Sequence, residues 1–341
     1  MNMAPAPRRP VVLVVSCGGT ISSVRPPGGR AGAAPRLSAA DLIADVPELA
    51  DIADIEARTH TLLPSSDLTL DDVLALRGLI AGRAARPPGL AGAVITQGTD
   101  TLEETAFALD LIWDGGCPVV LTGAMRNASQ PGADGPANLL AAVVTAASPV
   151  ARDAGVLVVA GDEIHAAAWV RKTHTTSAAS FRSPALGPVG YVTENTAHLP
   201  LRPRRTPRLP VIPRSVGPPP AALVGFGLGD DARMLAAVAG AGYRGLVSEA
   251  LGGGHLPSRV AGSAELAALV AAMPVVLASR TGAGQLLTST YGFPGSETAL
   301  LAQGLIPAGS LDGRKARVLL SLLLAAAAGR AEVARAFTNF C

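Results

Sequence analysis

The chain has 341 residues, 49% of them hydrophobic, and a formal net charge of +2. That length exceeds one comfortable core and implies two domains, each with enough apolar surface to fold without staples. The near-neutral balance and only 3% aromatic residues provide neither a basic face nor stacking platforms, which argues against nucleic-acid binding and for small-molecule chemistry.

The first apolar run, VVLVVSC (residues 11–17), follows Arg8 and Arg9 but is short for the apolar stretch of a secretion signal, and it runs straight into Gly18-Gly19-Thr20-Ile21. It reads as a core strand that delivers a threonine at a glycine-cleared turn. Residues 42–46 form the next apolar run, and residues 69–85 a helical stretch in which Thr69 is expected to be the N-cap, with Asp71 and Asp72 in the first turn. A second strand, AVIT (residues 93–96), leads into Gln97-Gly98-Thr99-Asp100-Thr101, where Thr101 is expected to cap a helix over residues 103–113. PVVLTG, a helical stretch over 136–147 and GVLVVAG continue the alternation. Together these elements predict an α/β fold with a parallel sheet covered by helices on both faces.

From residue 199 to 220 repeated prolines forbid helix and interior strand alike. The expected organisation is therefore a large N-terminal domain over 1–198, a linker over 199–220 and a smaller α/β domain over 221–341. The last carries AALVGFG, GLVSEA and PVVLASR between helical stretches, with a final helix from Arg314. The apolar run over 318–328 falls short of the ~20 residues that cross a bilayer. Cys17, Cys117 and Cys341 have no paired or metal-ligand spacing. A soluble cytoplasmic protein with structural thiols is expected, without a membrane partner.

In an open parallel sheet the carboxyl ends of the strands line the ligand crevice, which makes Thr20 and Thr99 candidate nucleophiles. A threonine hydroxyl needs a base or a local field before it attacks. Of 28 basic side chains only Lys172 and Lys315 are lysines. Lys172, in Arg171-Lys172-Thr173-His174-Thr175-Thr176, is either a group that must lose its proton, as arginine cannot, or an ordinary surface lysine. Asp100 either orients a lysine, binds a substrate amino group or caps a helix. The glycine turns lack the GxGxxG and GxxxxGK[ST] patterns and suit an oxyanion hole better than a phosphate cradle. There is no GxSxG elbow, and His60, His165, His174, His198 and His255 lack HxxxH spacing, which argues against a metal site. His174 is expected in a solvated loop.

Taken together these segments resemble the bacterial-type L-asparaginase and glutaminase-asparaginase family over nearly the whole chain. The likeness is carried by Gly18-Gly19-Thr20-Ile21, by residues 96–106 (TQGTDTLEETA), by Gly123-Ala124-Met125-Arg126 and by residues 134–139 (DGPANL). Lys172-Thr173 and residues 315–320 (KARVLL) extend it. The resemblance implies hydrolysis of the side-chain amide of L-asparagine to L-aspartate and ammonia through an acyl-enzyme on Thr20, with a side activity on L-glutamine. Thr99, Asp100 and Lys172 would form a second triad, and the N–H groups of Gly19 and Thr99 an oxyanion hole. Ser65, Ser66 and Asp100 would hold the substrate's carboxylate and amino group, and Ala124 would meet the leaving amide. It further implies no metal or organic cofactor, and a homo-oligomer, dimer or tetramer, with sites at subunit interfaces.

Three departures stand out. Many members carry a tyrosine on the loop after Gly-Gly-Thr, whereas residues 22–37 contain none. Ser66 stands where many have glutamine, and Gly252-Gly253-Gly254-His255 where many have Gly-Asn-Gly-Asn. Glu297 and Tyr291 lie in a segment that would approach a neighbouring subunit's site. Two other readings compete: a non-catalytic amino-acid sensor on the same scaffold, which the missing tyrosine favours, and an ammonia-supplying amidotransferase subunit, which the ~10 residues before the first strand disfavour.

Overall fold

A computed structural model describes residues 9–26, 32–209, 212–217 and 220–341. The chain divides into two units, Met1–Thr206 and Pro207–Cys341, with the division inside the proline-rich stretch.

In the first unit, strands β1 (Val11–Gly18), β2 (Asp54–Leu63), β3 (Gly92–Thr96), β4 (Val119–Thr122), β5 (Val156–Ala160) and β6 (Glu163–Ala166) come first in chain order. They are followed by the two-residue pair β7 (Arg171–Lys172) and β8 (Phe181–Arg182), then by β9 (Gly190–Thr193) and β10 (Thr196–His198). Eight strands form one sheet in the order β10-β9-β6-β5-β4-β3-β1-β2. From β5 to β2 every pairing is parallel, in registers such as Ser16 opposite both Thr96 and Thr59 and Ile95 opposite Leu121. The expected parallel sheet is thus extended by three strands, β6, β9 and β10, that join antiparallel. They escape a reading by apolar runs because they are short and end in exposed turns.

Helices α1 (Ala39–Ala44) and α4 (Gly135–Ala147) lie on one face, where Val12, Val14, Val94, Val120, Leu157 and Val159 share a core with Leu42, Leu139 and Val143. Residues one position along each strand point the other way, toward α2 (Leu70–Ala84) and α3 (Leu102–Ile112). Residues 42–44 are therefore helical. β2, like β6, β9 and β10, is not revealed by apolar runs: it is an edge of the sheet, and all of its residues are exposed or half-buried. Thr69 caps α2 as expected, accepting from Asp72 N–H while Asp72 accepts from Thr69 N–H. Strand order reverses between β1 and β3, since the chain goes from β1 to β2 on one side and returns to β3 on the other. The carboxyl ends flanking that point form the crevice such sheets use for ligands.

The second unit is a parallel four-stranded sheet, β11 (Ala221–Gly225), β12 (Gly245–Ala250), β13 (Val275–Ser279) and β14 (Ile306–Asp312), in chain order. Helices α5 (Arg233–Gly240) and α6 (Ala264–Ala272) pack through Leu235, Val238, Leu266 and Leu269. α7 (Gly313–Ala325) lies against the sheet. Among the described residues no helix is long and apolar enough to cross a membrane.

Candidate active site

Three loops meet at the carboxyl ends of β1, β2 and β3. At Gly19 the backbone has φ 82° and ψ −167°, a left-handed conformation that side chains resist, and a Cβ there would fall 2.1 Å from Gly98 Cα. A Cβ on Gly98 would in turn fall 2.7 Å from Ser65 Oγ. Main chain therefore touches main chain, and the two glycine-threonine turns become neighbours because neither carries a side chain. Ser65, buried in the short turn after β2, ties the third loop in. Its Oγ accepts Asp100 N–H at 3.2 Å, and its carbonyl accepts the Thr101 hydroxyl at 2.8 Å.

That last contact corrects the cap assigned to Thr101. The residue stands at the N-cap of α3 but makes no capping hydrogen bond. Its hydroxyl is held by Ser65 and by the amide of Gln97, which donates to it at 3.2 Å, so tertiary partners displace the local one.

Lys172 closes the cluster. Its Nζ donates to Thr99 Oγ1 at 2.8 Å and to Asp100 Oδ1 at 2.7 Å. The lysine side chain is 17% exposed and that of Asp100 70%, so the ammonium is drawn inward while the carboxylate keeps a face in water. Asp100 thus serves neither as N-cap nor as an isolated surface acid, and Lys172 is not a free surface lysine. Residue 103 carries a further group that sequence reading assigned only to the helix start: buried Glu103 accepts the backbone N–H of Lys172.

Thr20 begins a single 3-10 turn, Thr20–Ser22, directly after Gly19, and is half-buried. Among the described residues no side chain hydrogen-bonds its hydroxyl. Ile21 packs toward α4, where a Cβ on Gly135 would lie 3.0 Å from its Cγ1. Ala124 is buried beyond β4, and the following N–H groups of Met125 and Arg126 donate to Asp134. Asn138 donates to the carbonyl of Gly123 at 3.0 Å and so fixes the same loop. Ser66 is exposed and turns its hydroxyl to Asp67 at 3.3 Å.

Of the three cysteines expected to be structural, Cys17 and Cys117 are buried and Cys341 is exposed. Burial, followed by the charge of Asp72, pushes the Cys17 thiol up to about 12, which leaves it unreactive. All three cysteines are free. His174 caps its own turn, its Nδ1 accepting the N–H groups of Thr176 and Ser177.

In the second unit Glu297 is fully buried, with Oε1 accepting the N–H groups of Thr290 and Tyr291 at 2.7 Å. Burial works against its ionisation, but the N–H groups of Tyr291, of Glu297 itself and of Thr290, with His255 beside them, hold its carboxyl below the usual range. His255 Nε2 lies 3.2 Å from Glu297 Oε2, and the imidazole meets the Tyr291 and Phe293 rings edge-on at 5.1 and 5.2 Å. Glu297 is consumed in holding this loop and has no exposed surface to offer a neighbour.

The fold and the site define a two-unit α/β protein with a threonine-lysine-aspartate cluster at a sheet's switch point. Residues 11–205 match the family "Asparaginase, N-terminal" and residues 222–337 the family "Glutaminase/Asparaginase C-terminal domain". The chain belongs to the asparaginase family. It is 37% identical to a probable L-asparaginase of Deinococcus radiodurans, over 97% of this chain and 98% of that protein. L-asparaginase 2 of Escherichia coli is 32% identical, over 97% of this chain and 93% of its own length. A glutamyl-tRNA(Gln) amidotransferase component of Methanosarcina barkeri is 31% identical, over 83% of this chain and 67% of its own length.

Proposed function

We propose that the chain hydrolyses the side-chain amide of L-asparagine to L-aspartate and ammonia through a covalent threonine intermediate. The observation that carries this reading is the bonding of Lys172 Nζ to both Thr99 Oγ1 and Asp100 Oδ1, beside the turn that holds Thr20.

In this scheme Thr20 Oγ attacks the amide carbon and gives up its proton. The carbonyl oxygen becomes an oxyanion facing the N–H group of Thr99, whereas the Gly19 N–H, assigned to the same hole, already donates to the Leu63 carbonyl at 3.0 Å and joins only by leaving it. The C–N bond breaks, the amide nitrogen takes a proton and ammonia leaves. Water then attacks the ester carbon. Thr99 Oγ1 takes the water's proton as it passes its own to Lys172 Nζ, which enters this step as the neutral amine and becomes an ammonium steadied by Asp100; the proton then returns through Thr99 to the Thr20 oxygen. Thr20 leaves reprotonated and the product is aspartate. Asp100 and Ser65 would take the substrate's amino group and carboxylate, with Ala124 at the leaving amide. Glutamine differs by one methylene, a discrimination worth only ~1–3 kcal/mol, so a side activity on L-glutamine is part of the proposal. We further propose a homo-oligomer, dimer or tetramer, working in a reducing compartment such as the cytoplasm. The free thiols suit that setting.

The test is ammonia release from L-asparagine, L-glutamine and D-asparagine by the wild type and by Thr20→Ala, Thr99→Ala and Lys172→Met. Lys172→Met is expected to lower kcat with a smaller change in KM, since its role is confined to proton handling in the transition state. Full turnover by Thr20→Ala, with loss in Thr99→Ala, would reassign the nucleophile. The amidotransferase relative favours a second reading, in which ammonia passes to a partner. Rapid release of free ammonia by the isolated chain would rule against it.

A further inference from the structure

Glu103 is the second residue of α3, three positions beyond Asp100, and is only 1% exposed. A carboxylate in the first turn of a helix already gains from the helix dipole while it stays in water, so that role does not call for burial. Burying a carboxylate is costly unless its oxygens are bonded. One of them, Oε2, takes the backbone N–H of Lys172, 69 residues along the chain.

The other edge of β7 is also fixed. Lys172 pairs with Phe181 of β8, and the next residue, Thr173, gives its N–H to Ser180 at 2.7 Å and its hydroxyl to the same carbonyl at 2.9 Å. The lysine's main chain is thus clamped between a two-residue ladder and one carboxylate. Its long side chain has four rotatable bonds, so a shift at the backbone nitrogen is transmitted to Nζ unless the side chain reorders. The turn after β3 consequently supplies both ends of the arrangement: Thr99 and Asp100 receive the ammonium, and Glu103 receives the amide.

We propose that Glu103 is a positioning residue for Lys172, fixing the main chain of β7 so that Nζ reaches Thr99 Oγ1. The inference rests on the proton-handling role of Lys172 proposed above. Glu103 acts through Lys172 and not on the substrate, so its loss lowers kcat and leaves KM nearly unchanged.

The experiment measures kcat and KM for ammonia release from L-asparagine by the full chain and by Glu103→Gln, Glu103→Ala, Lys172→Met and Glu103→Ala/Lys172→Met. Glu103→Met is run beside them, since it fills the volume without an acceptor where alanine leaves a hole that can unfold the chain. The expected result is a fall in kcat of about tenfold or more for the Ala and Met variants, with KM within about threefold. Glu103→Gln, whose amide oxygen still accepts from Lys172 N–H, keeps about a third or more of the wild-type kcat. The double variant is no slower than Lys172→Met, because both changes disable one device. A folded Glu103→Met with kcat within twofold of the wild type, or losses that multiply in the double variant, would overturn the inference. If Lys172→Met itself leaves kcat unchanged, the reading of Lys172 fails first. An impaired Lys172→Met beside an unimpaired Glu103→Met sinks only the role of Glu103.

Discussion

Gly19→Ala tests how the site is held together. The new Cβ falls 2.1 Å from both Gly98 Cα and Gly98 N, against an ordinary carbon contact of about 3.5 Å. The two turns must therefore separate by roughly 1.4 Å, or the backbone at Gly19 must leave φ 82°. Holding a side chain in that left-handed region costs ~1–3 kcal/mol, and overpacking adds ~1–3 kcal/mol more. The rate suffers more than the fold, because Thr20 is the next residue and a misplacement of ~1 Å costs about a hundredfold. The comparison variant is Gly116→Ala, where an added Cβ meets nothing within 4 Å. Ammonia release and urea midpoints for the two should diverge: about a hundredfold in kcat and a few kcal/mol for Gly19→Ala, and neither for Gly116→Ala. A Gly19→Ala protein with wild-type turnover at an unchanged midpoint would show that the two turns need not touch for the site to work.

Exposed Gly78 and Gly82 lie inside α2 with nothing within 4 Å of an added Cβ, so Gly78→Ala and Gly82→Ala should each raise stability by ~0.5–1 kcal/mol. A lower urea midpoint in either would contradict the helix assignment there. Acid should weaken the first unit through His165, whose ring is fully buried with Nδ1 3.0 Å from Ser183 Oγ. Burial, followed by the charge of Arg182, lowers its pKa to about 4 from 6.5. Below pH 6.5 the unfolded chain takes a proton that the folded chain refuses. The stabilisation is therefore complete above pH 6.5 and is lost as pH falls toward about 4, by on the order of 3 kcal/mol at most. Urea midpoints of wild type and His165→Gln that fall in parallel between pH 7 and 4.5 would refute this.

What the sequence discloses and what it hides divide along a physical line. Strands buried on both faces, such as β1, β3, β4 and β5, are legible because continuous apolar runs have no other stable use. β2 is not, since an edge strand with exposed positions along both faces lacks that run. The glycine-threonine turns are visible as motifs, whereas the scarcity of lysine draws attention to Lys172 and Lys315 alike and leaves Lys172 open between a proton-handling group and a surface lysine. Glu103 is not visible in its positioning role. It acts through a backbone N–H on a strand 69 residues away, and a backbone donor has no residue identity that a sequence pattern can carry. Thr101 shows the converse, a correct local signal whose hydroxyl is taken by Ser65 once the loops converge.

The two threonines are consequently in unequal states. Thr99 is buried, with its hydroxyl bonded to a lysine that is itself bonded to an aspartate. Thr20 is half-buried and without a side-chain partner among the described residues. A hydroxyl that must form an ester and be released from it in every turnover needs access and freedom, whereas one that relays a proton needs fixed neighbours. That contrast supports the proposal that Thr20 makes the covalent attack and Thr99 relays the proton. No side chain of the Thr99-Lys172-Asp100 cluster is hydrogen-bonded to Thr20, and residues 22–37 contain no tyrosine. The pH profile of kcat in Lys172→Met then separates the two steps. If acylation has its own base, an acid limb survives in that variant; if Lys172 serves both steps, the profile goes flat.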